Sequence, residues 1–159
     1  MRRWSPVEIA VAVALAGTLA AVGVPAFVAE LHASRFVEPV DGLTRIGAGA
    51  VRWADTHQRF PPSAPLTPSR PPAGKKEADA PGTWDVPAWQ SLGFRPLPEG
   101  SPHAYAFSFD SDPAGTTFVA RAHGDLDGDG ITSTFEIRGA FEGGKAVVLP
   151  GMTIDQELE

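Results

Sequence analysis

Asp125-Leu-Asp127-Gly-Asp129-Gly130, followed by Glu136, fits the spacing D-x-D-x-D-G-x5-E. A hard divalent cation takes about six to eight oxygens. Alternate aspartates converge in a tight loop, and the glycine after them permits the sharp turn. The chemistry this pattern selects is Ca2+ binding, with Asp125, Asp127 and Asp129 as leading ligands and Glu136 as the further carboxylate. The flanks Phe118–Ala122 and Ile131–Ile137 alternate as strands do, so the loop reads as a hairpin connection rather than an EF-hand. On a strand, Glu136 can point away from the three aspartates. The competing reading is a solvated Asp-Gly turn.

The other residue placed to do chemistry is Glu8. Arg2 and Arg3 precede a polar break at Ser5-Pro6, and a nearly unbroken apolar run follows from Val7 to Ala29. About 20 apolar residues span a bilayer core as a helix, so residues 7–29 are long enough. The arginines in front favour a cytoplasmic N-terminus. The run is too long for the core of a cleaved secretory signal. An ionised side chain inside such a helix costs roughly 2.5–3.5 kcal/mol on insertion scales. Nothing basic follows within reach along the helix, so Glu8 is expected to find its counter-charge outside this segment, or to sit among wet headgroups.

No catalytic constellation is evident, and the chain is not expected to be an enzyme. It has no cysteine, no G-x-S-x-G, no H-E-x-x-H and no phosphate-binding glycine loop. His32, His57, His103 and His123 lack metal-ligand spacing and read as surface or helix-end residues. The formal charge of −6 and the lack of an extended Lys/Arg cluster argue against nucleic acid as a partner.

Behind the apolar run, Glu30–Gln58 keeps a helical period, with Phe36, Val40, Leu43, Ile46, Ala50 and Trp53 on one face. Pro25 and Pro39 each remove a backbone donor from this helix. Residues 59–82 are rich in Pro, Ala and Ser with a basic pair, Lys75-Lys76, and read as a surface loop. A short helix is expected over Val86–Leu92, with Asp85 as N-cap, Pro87 in the first turn and Gly93 as stop. Trp84 and Trp89 are expected to plug a helix–sheet seam. Four strands follow, around Tyr105–Phe109, Phe118–Ala122, Ile131–Ile137 and Lys145–Leu149, with turns at Asp112–Gly115 and Glu142–Gly144. The expected fold class is α+β: a long N-terminal transmembrane and amphipathic helix packed on a four-stranded antiparallel sheet. Its parts are a leader (1–3), the helix (4–58), the Pro-rich loop (59–82), the sheet domain (83–150) and a loose acidic tail (151–159).

Residues 8–27, EIAVAVALAGTLAAVGVPAF, resemble the N-terminal helix of type IV pilins and type II secretion pseudopilins. That family places an aromatic first in the mature chain, an acid four residues on, a glycine mid-helix and a proline near the membrane exit. Trp4, Glu8, Gly17 and Pro25 fall at those spacings. The family's leader ends in glycine where Arg3 stands, Trp4 replaces the usual phenylalanine, and Pro6 stands where leucine is common. GDLDGDG at 124–130, ahead of Thr132–Glu136, further resembles the C-terminal hairpin of pilin-like proteins from deltaproteobacteria.

The resemblance implies a single-pass inner-membrane subunit with an extracytoplasmic head. It would assemble into the helical filament of a pilus or secretion system, with other pilin or pseudopilin subunits and an inner-membrane assembly platform as partners. Prepilin peptidase would cut between Arg3 and Trp4, a bond where Arg3 departs from the pattern, and the new amino terminus would be methylated. Glu8, Gly17 and Pro25 would serve assembly, and the Pro-rich loop would touch neighbouring subunits. The alternative is a signal-anchored, calcium-binding extracytoplasmic module that does not polymerise.

Overall fold

A computed structural model describes residues 5–156, with the side chains of 25–35 outside that description. The chain forms two compact units, one ending at Val37 and one beginning at Glu38. The elements are α1 (Pro6–His57), β1 (Ala64–Thr67), α2 (Pro87–Leu92), β2 (Tyr105–Ser111), β3 (Thr117–Gly124), β4 (Ser133–Glu142), β5 (Lys145–Val148) and β6 (Thr153–Asp155). The fold is α+β, with an N-terminal apolar helix and an antiparallel sheet.

In the first unit, the side chains of Val7, Ile9, Val11, Val13, Leu15, Leu19, Val22 and Val24 are all exposed. Pro6–Val24 is 19 residues long and none of it is buried within this chain. At about 1.5 Å per residue it reaches about 28 Å, enough to cross a bilayer core. The Thr18 hydroxyl donates to the Ala14 carbonyl at 2.9 Å, so the one polar side chain midway along needs no water.

In the second unit, Pro39, Leu43, Ile46, Ala50 and Ala54 of α1 are buried. Leu43, Ile46 and Ala50 belong to the apolar face expected from the sequence. Val40 does not join them, being 40% exposed, and Trp53 is half-buried, stacked on His57 at 3.8 Å. Glycine explains the rotation. A Cβ on Gly42 would overlap the Phe107 ring, and one on Gly49 would overlap the Leu92 carbonyl oxygen. The helix therefore settles where its bare backbone touches β2 and α2, and a count of apolar side chains gives glycine no weight.

The sheet order is β1-β2-β3-β4-β5, with β6 also paired to β4, all antiparallel. Its buried face is built in rows. Phe107, Ala122 and Phe135 are cross-strand partners, as are Phe109, Ala120 and Ile137. Alanines on the middle strand leave room for large side chains from both sides. Tyr105 and Phe135 meet edge-on at 5.9 Å, and Phe109 stacks with Phe118 at 5.0 Å.

Two strands exceed the expected four. β1 lies inside the Pro-rich stretch, and β6 inside the tail expected to be loose. β1 is an edge strand, which is where a chain containing Pro65 can pair on one side only. β6 follows from the length of β4. β5 pairs with Gly139–Glu142, leaving Thr134–Glu136 to be matched by Thr153–Asp155. The sheet domain consequently extends beyond 83–150 at both ends.

The short helix starts at Pro87. Its N-cap is Val86, which makes no side-chain capping bond, and Asp85 is instead drawn to the Arg95 guanidinium. Gly93 closes the helix in the left-handed conformation, φ 60°, as expected. Trp84 and Trp89 are buried together with Phe94 and Phe107 in one aromatic cluster.

Candidate functional site

Glu8 begins the exposed apolar helix and is held by the turn before it. The Ser5 backbone N–H donates to Glu8 Oε2 at 2.8 Å, and the Glu8 N–H donates to Ser5 Oγ at 3.2 Å. This reciprocal pair is a capping box, whose signature Ser-x-x-Glu stands in the sequence as Ser5-Pro-Val-Glu8. These are hydrogen bonds within the helix's own first turn and are separate from any counter-charge. One oxygen accepts a hydrogen bond at the electropositive end of the helix, which favours a negative charge there. Gly17 sits farther along the same helix, and a Cβ placed there would meet nothing within 4 Å among the described residues beyond its own helical turn. Pro25 lies within α1 with its side chain outside the description, and Arg3 and Trp4 lie outside the described residues.

The second site is the loop between β3 and β4. Carboxylate oxygens of Asp125, Asp127 and Asp129 lie within 4.8 Å of one another. Three backbone bonds shape the loop: Gly128 N–H to Asp125 Oδ1 (2.8 Å), Asp129 N–H to Asp127 Oδ1 (3.1 Å) and Ile131 N–H to Asp129 Oδ1 (2.7 Å). Asp125 is only 6% exposed, and its carbonyl accepts the Gly74 N–H at 2.8 Å, tying the loop to the Pro-rich segment. In donor type the three carboxylates fit a hard divalent cation, with the remaining oxygens left to backbone or water.

Glu136 is not part of this cluster. It lies on the other face of β4, where Arg121 Nε donates to Oε2 at 2.8 Å and Arg138 Nε to Oε1 at 2.7 Å. Arg121 also donates to Asp110 Oδ2 at 2.8 Å, so four charges alternate across the sheet. Burial alone would raise the Glu136 carboxyl, but the bonds from Arg138 and Arg121 outweigh it and hold the group below the ordinary carboxylate range. Strand alternation separates it from the loop, because Ser133, Phe135 and Ile137 face the core and Glu136 faces the opposite way.

Comparison with protein-family models, with curated proteins and with solved structures gives no match.

Sequence reading missed two polar anchors. Glu38 Oε1 accepts the backbone N–H groups of Ala104 (2.8 Å) and Tyr105 (3.0 Å), and its other oxygen lies 3.6 Å from Lys76 Nζ. It fastens α1 to the start of β2 and to the Pro-rich segment. His103, read from sequence as a surface residue, is 2% exposed and bonded at both ring nitrogens. Its neighbours in sequence, Ser-Pro before and Ala-Tyr after, carry no signal of this. Asp79, its partner, comes from a segment whose composition reads as loop.

Proposed function

We propose that this chain is a pilin- or pseudopilin-like structural subunit. It would stand in the inner membrane with its head outside the cytoplasm and enter a helical filament built from such N-terminal helices. The observation carrying this reading is Pro6–Val24: a membrane-length apolar helix, none of it buried within the single chain, that carries Glu8 in its first turn and belongs to the same helix α1 whose later residues pack on an antiparallel sheet. Its apolar surface needs lipid or other helices around it. Gly17 supports packing by helices, since an interior glycine costs about 1 kcal/mol relative to alanine and nothing among the described residues uses the space it leaves. In the filament, Glu8 meets the positive amino terminus of a neighbouring subunit.

The test is intact-mass measurement of the membrane-extracted protein together with sheared filaments. A chain lacking Met1–Arg3, carrying one added methyl group and recovered in filaments, is the expected result. A full-length chain absent from filaments would overturn the proposal.

The three converging aspartates favour a second reading, a signal-anchored calcium-binding module that does not polymerise. Calcium is then expected to raise the melting temperature of the wild type but not of Asp127→Asn, with magnesium having no effect. An unchanged wild-type melting temperature in calcium would remove the metal.

A further inference from the structure

Two glycines far apart in sequence meet backbone to backbone. Gly74 lies in the Pro-rich segment and Gly128 in the three-aspartate loop, and both are left-handed, with φ of 67° and 83°. A Cβ on Gly74 would stand 3.1 Å from the Asp127 carbonyl oxygen and 3.4 Å from Gly128 Cα. A Cβ on Gly128 would stand 3.3 Å from both Gly74 Cα and Gly74 N. Each position therefore favours glycine twice, once for its backbone angle and once for the approach of the other.

The contact is also hydrogen-bonded. The Gly74 N–H donates to the Asp125 carbonyl at 2.8 Å, and Ala73 and Asp125 form a parallel bridge. On the loop side, Asp125 Oδ1 accepts the Gly128 N–H at 2.8 Å. Asp125 thus joins the two glycines, one through its carbonyl and the other through its side chain.

Among the described residues, little else holds residues 73–76, which are exposed. Pro68, Pro71 and Pro72 before them have no N–H to donate. Lys76 Nζ lies 3.6 Å from Glu38 Oε2, but the lysine is 63% exposed, and such surface pairs contribute little. Firm backbone ties return at Glu77, which exchanges hydrogen bonds with His103 at 3.0 and 2.9 Å. The loop is likewise anchored at its ends, by Gly124 of β3 and Ser133 of β4, with residues 127–130 exposed between them. Each segment is fixed at its ends and leans on the other in between. An open groove of about 560 Å3 is lined by both, by Pro72 and Lys75 from one and by Asp125 and Gly130 from the other.

We propose that residues 73–76 and 125–129 form one conformational unit, a strap and a loop that open and close together. Such coupling is reciprocal. Loosening the strap loosens the loop that carries the three carboxylates, and distorting the loop frees the strap. The coupling stands apart from the filament reading and needs no cation.

The experiment is limited proteolysis of the full chain in detergent micelles. Trypsin cutting after Lys75 and Lys76 reports the strap, and cutting after Arg121 within β3 reports opening of the sheet. A protease that cuts before aspartate reports the loop at Asp127 and Asp129. Gly128→Ala should raise strap cutting about tenfold, with the Arg121 cut unchanged. Gly130→Ala is the control. With φ of 89° it places the same left-handed strain in the same loop, but a Cβ there meets nothing within 4 Å, so strap cutting should stay at the wild-type rate. Gly74→Ala should raise loop cutting by the same factor as Gly128→Ala raises strap cutting. Strap cutting at the wild-type rate in a folded Gly128→Ala would overturn the unit. So would equal strap cutting in Gly128→Ala and Gly130→Ala, or a rise matched by cutting after Arg121. Loss of the fold by circular dichroism in both Gly128→Ala and Gly74→Ala would overturn it too, because the contact would then belong to the sheet and not to a separable unit.

Discussion

Under the proposed filament reading Glu8 has two separable jobs, and glutamine tells them apart. Glu8→Gln keeps the capping bond, because its amide oxygen accepts the Ser5 N–H that now reaches Oε2 at 2.8 Å. It removes only the charge. Glu8→Ala removes both. A cap is worth about 1 kcal/mol. Removing one member of a charge pair in a low-dielectric filament core costs about 3 kcal/mol or more, because the partner is left buried and unmatched. At about 1.4 kcal/mol per factor of ten, Glu8→Gln should be depleted from filaments about a hundredfold, and Glu8→Ala about five times further. Both variants should insert in the membrane as the wild type does. The assay is quantitative mass spectrometry of sheared filaments against the membrane fraction, with wild type and variant co-expressed. Incorporation of Glu8→Gln at the wild-type level, with Glu8→Ala down about fivefold, would refute the charge argument and leave Glu8 as a helix cap.

Gly49→Ala should destabilise the head by about 1–3 kcal/mol, because the obstacle is the Leu92 backbone carbonyl, which cannot swing aside; Gly17→Ala, with open space around it, should leave the melting temperature of the isolated subunit unchanged or raised. The stability of the head should also fall on acidification. His123 is held below its ordinary 6.5, first by burial and then by the Arg121 charge, so the unfolded chain takes up a proton that the folded one resists. The His123 contribution is flat above about pH 6.5 and declines below it. Asp112, held low first by the Thr117 N–H, and Glu136, held low by its arginines against burial, add a further loss as pH falls through and below about 4. Urea midpoints measured at about pH 7 and pH 5 check the first part: His123→Gln should flatten the difference, and equal slopes in both proteins would reject it.

The Asp79–His103 contact and the three-aspartate loop differ in how visible they are from sequence. Asp125, Asp127 and Asp129 are two residues apart on one tight loop, so local geometry alone brings their oxygens together. Asp79 and His103 are 24 residues apart and meet only because an antiparallel bridge at Glu77 and His103 lays one segment beside the other. Glu136 shows the opposite case, a residue at the expected spacing that strand alternation turns away from the loop.

Local chain chemistry sufficed for the apolar helix, the Asp112–Gly115 and Glu142–Gly144 turns, the Gly93 stop and the alternation of β2, β3 and β4. Each depends on neighbours within a few residues, where side-chain period and backbone preference decide. Packing alone decided the rest: which face of α1 is buried, since Gly42 and Gly49 matter through the Phe107 ring and the Leu92 carbonyl they admit; that Pro-rich residues 64–67 become an edge strand; that the tail completes β4; and that Glu38 and His103 are anchors. The physical reason is that a buried polar group or an unpaired strand edge is satisfied by whatever the fold brings next to it, and distance along the chain says nothing about that.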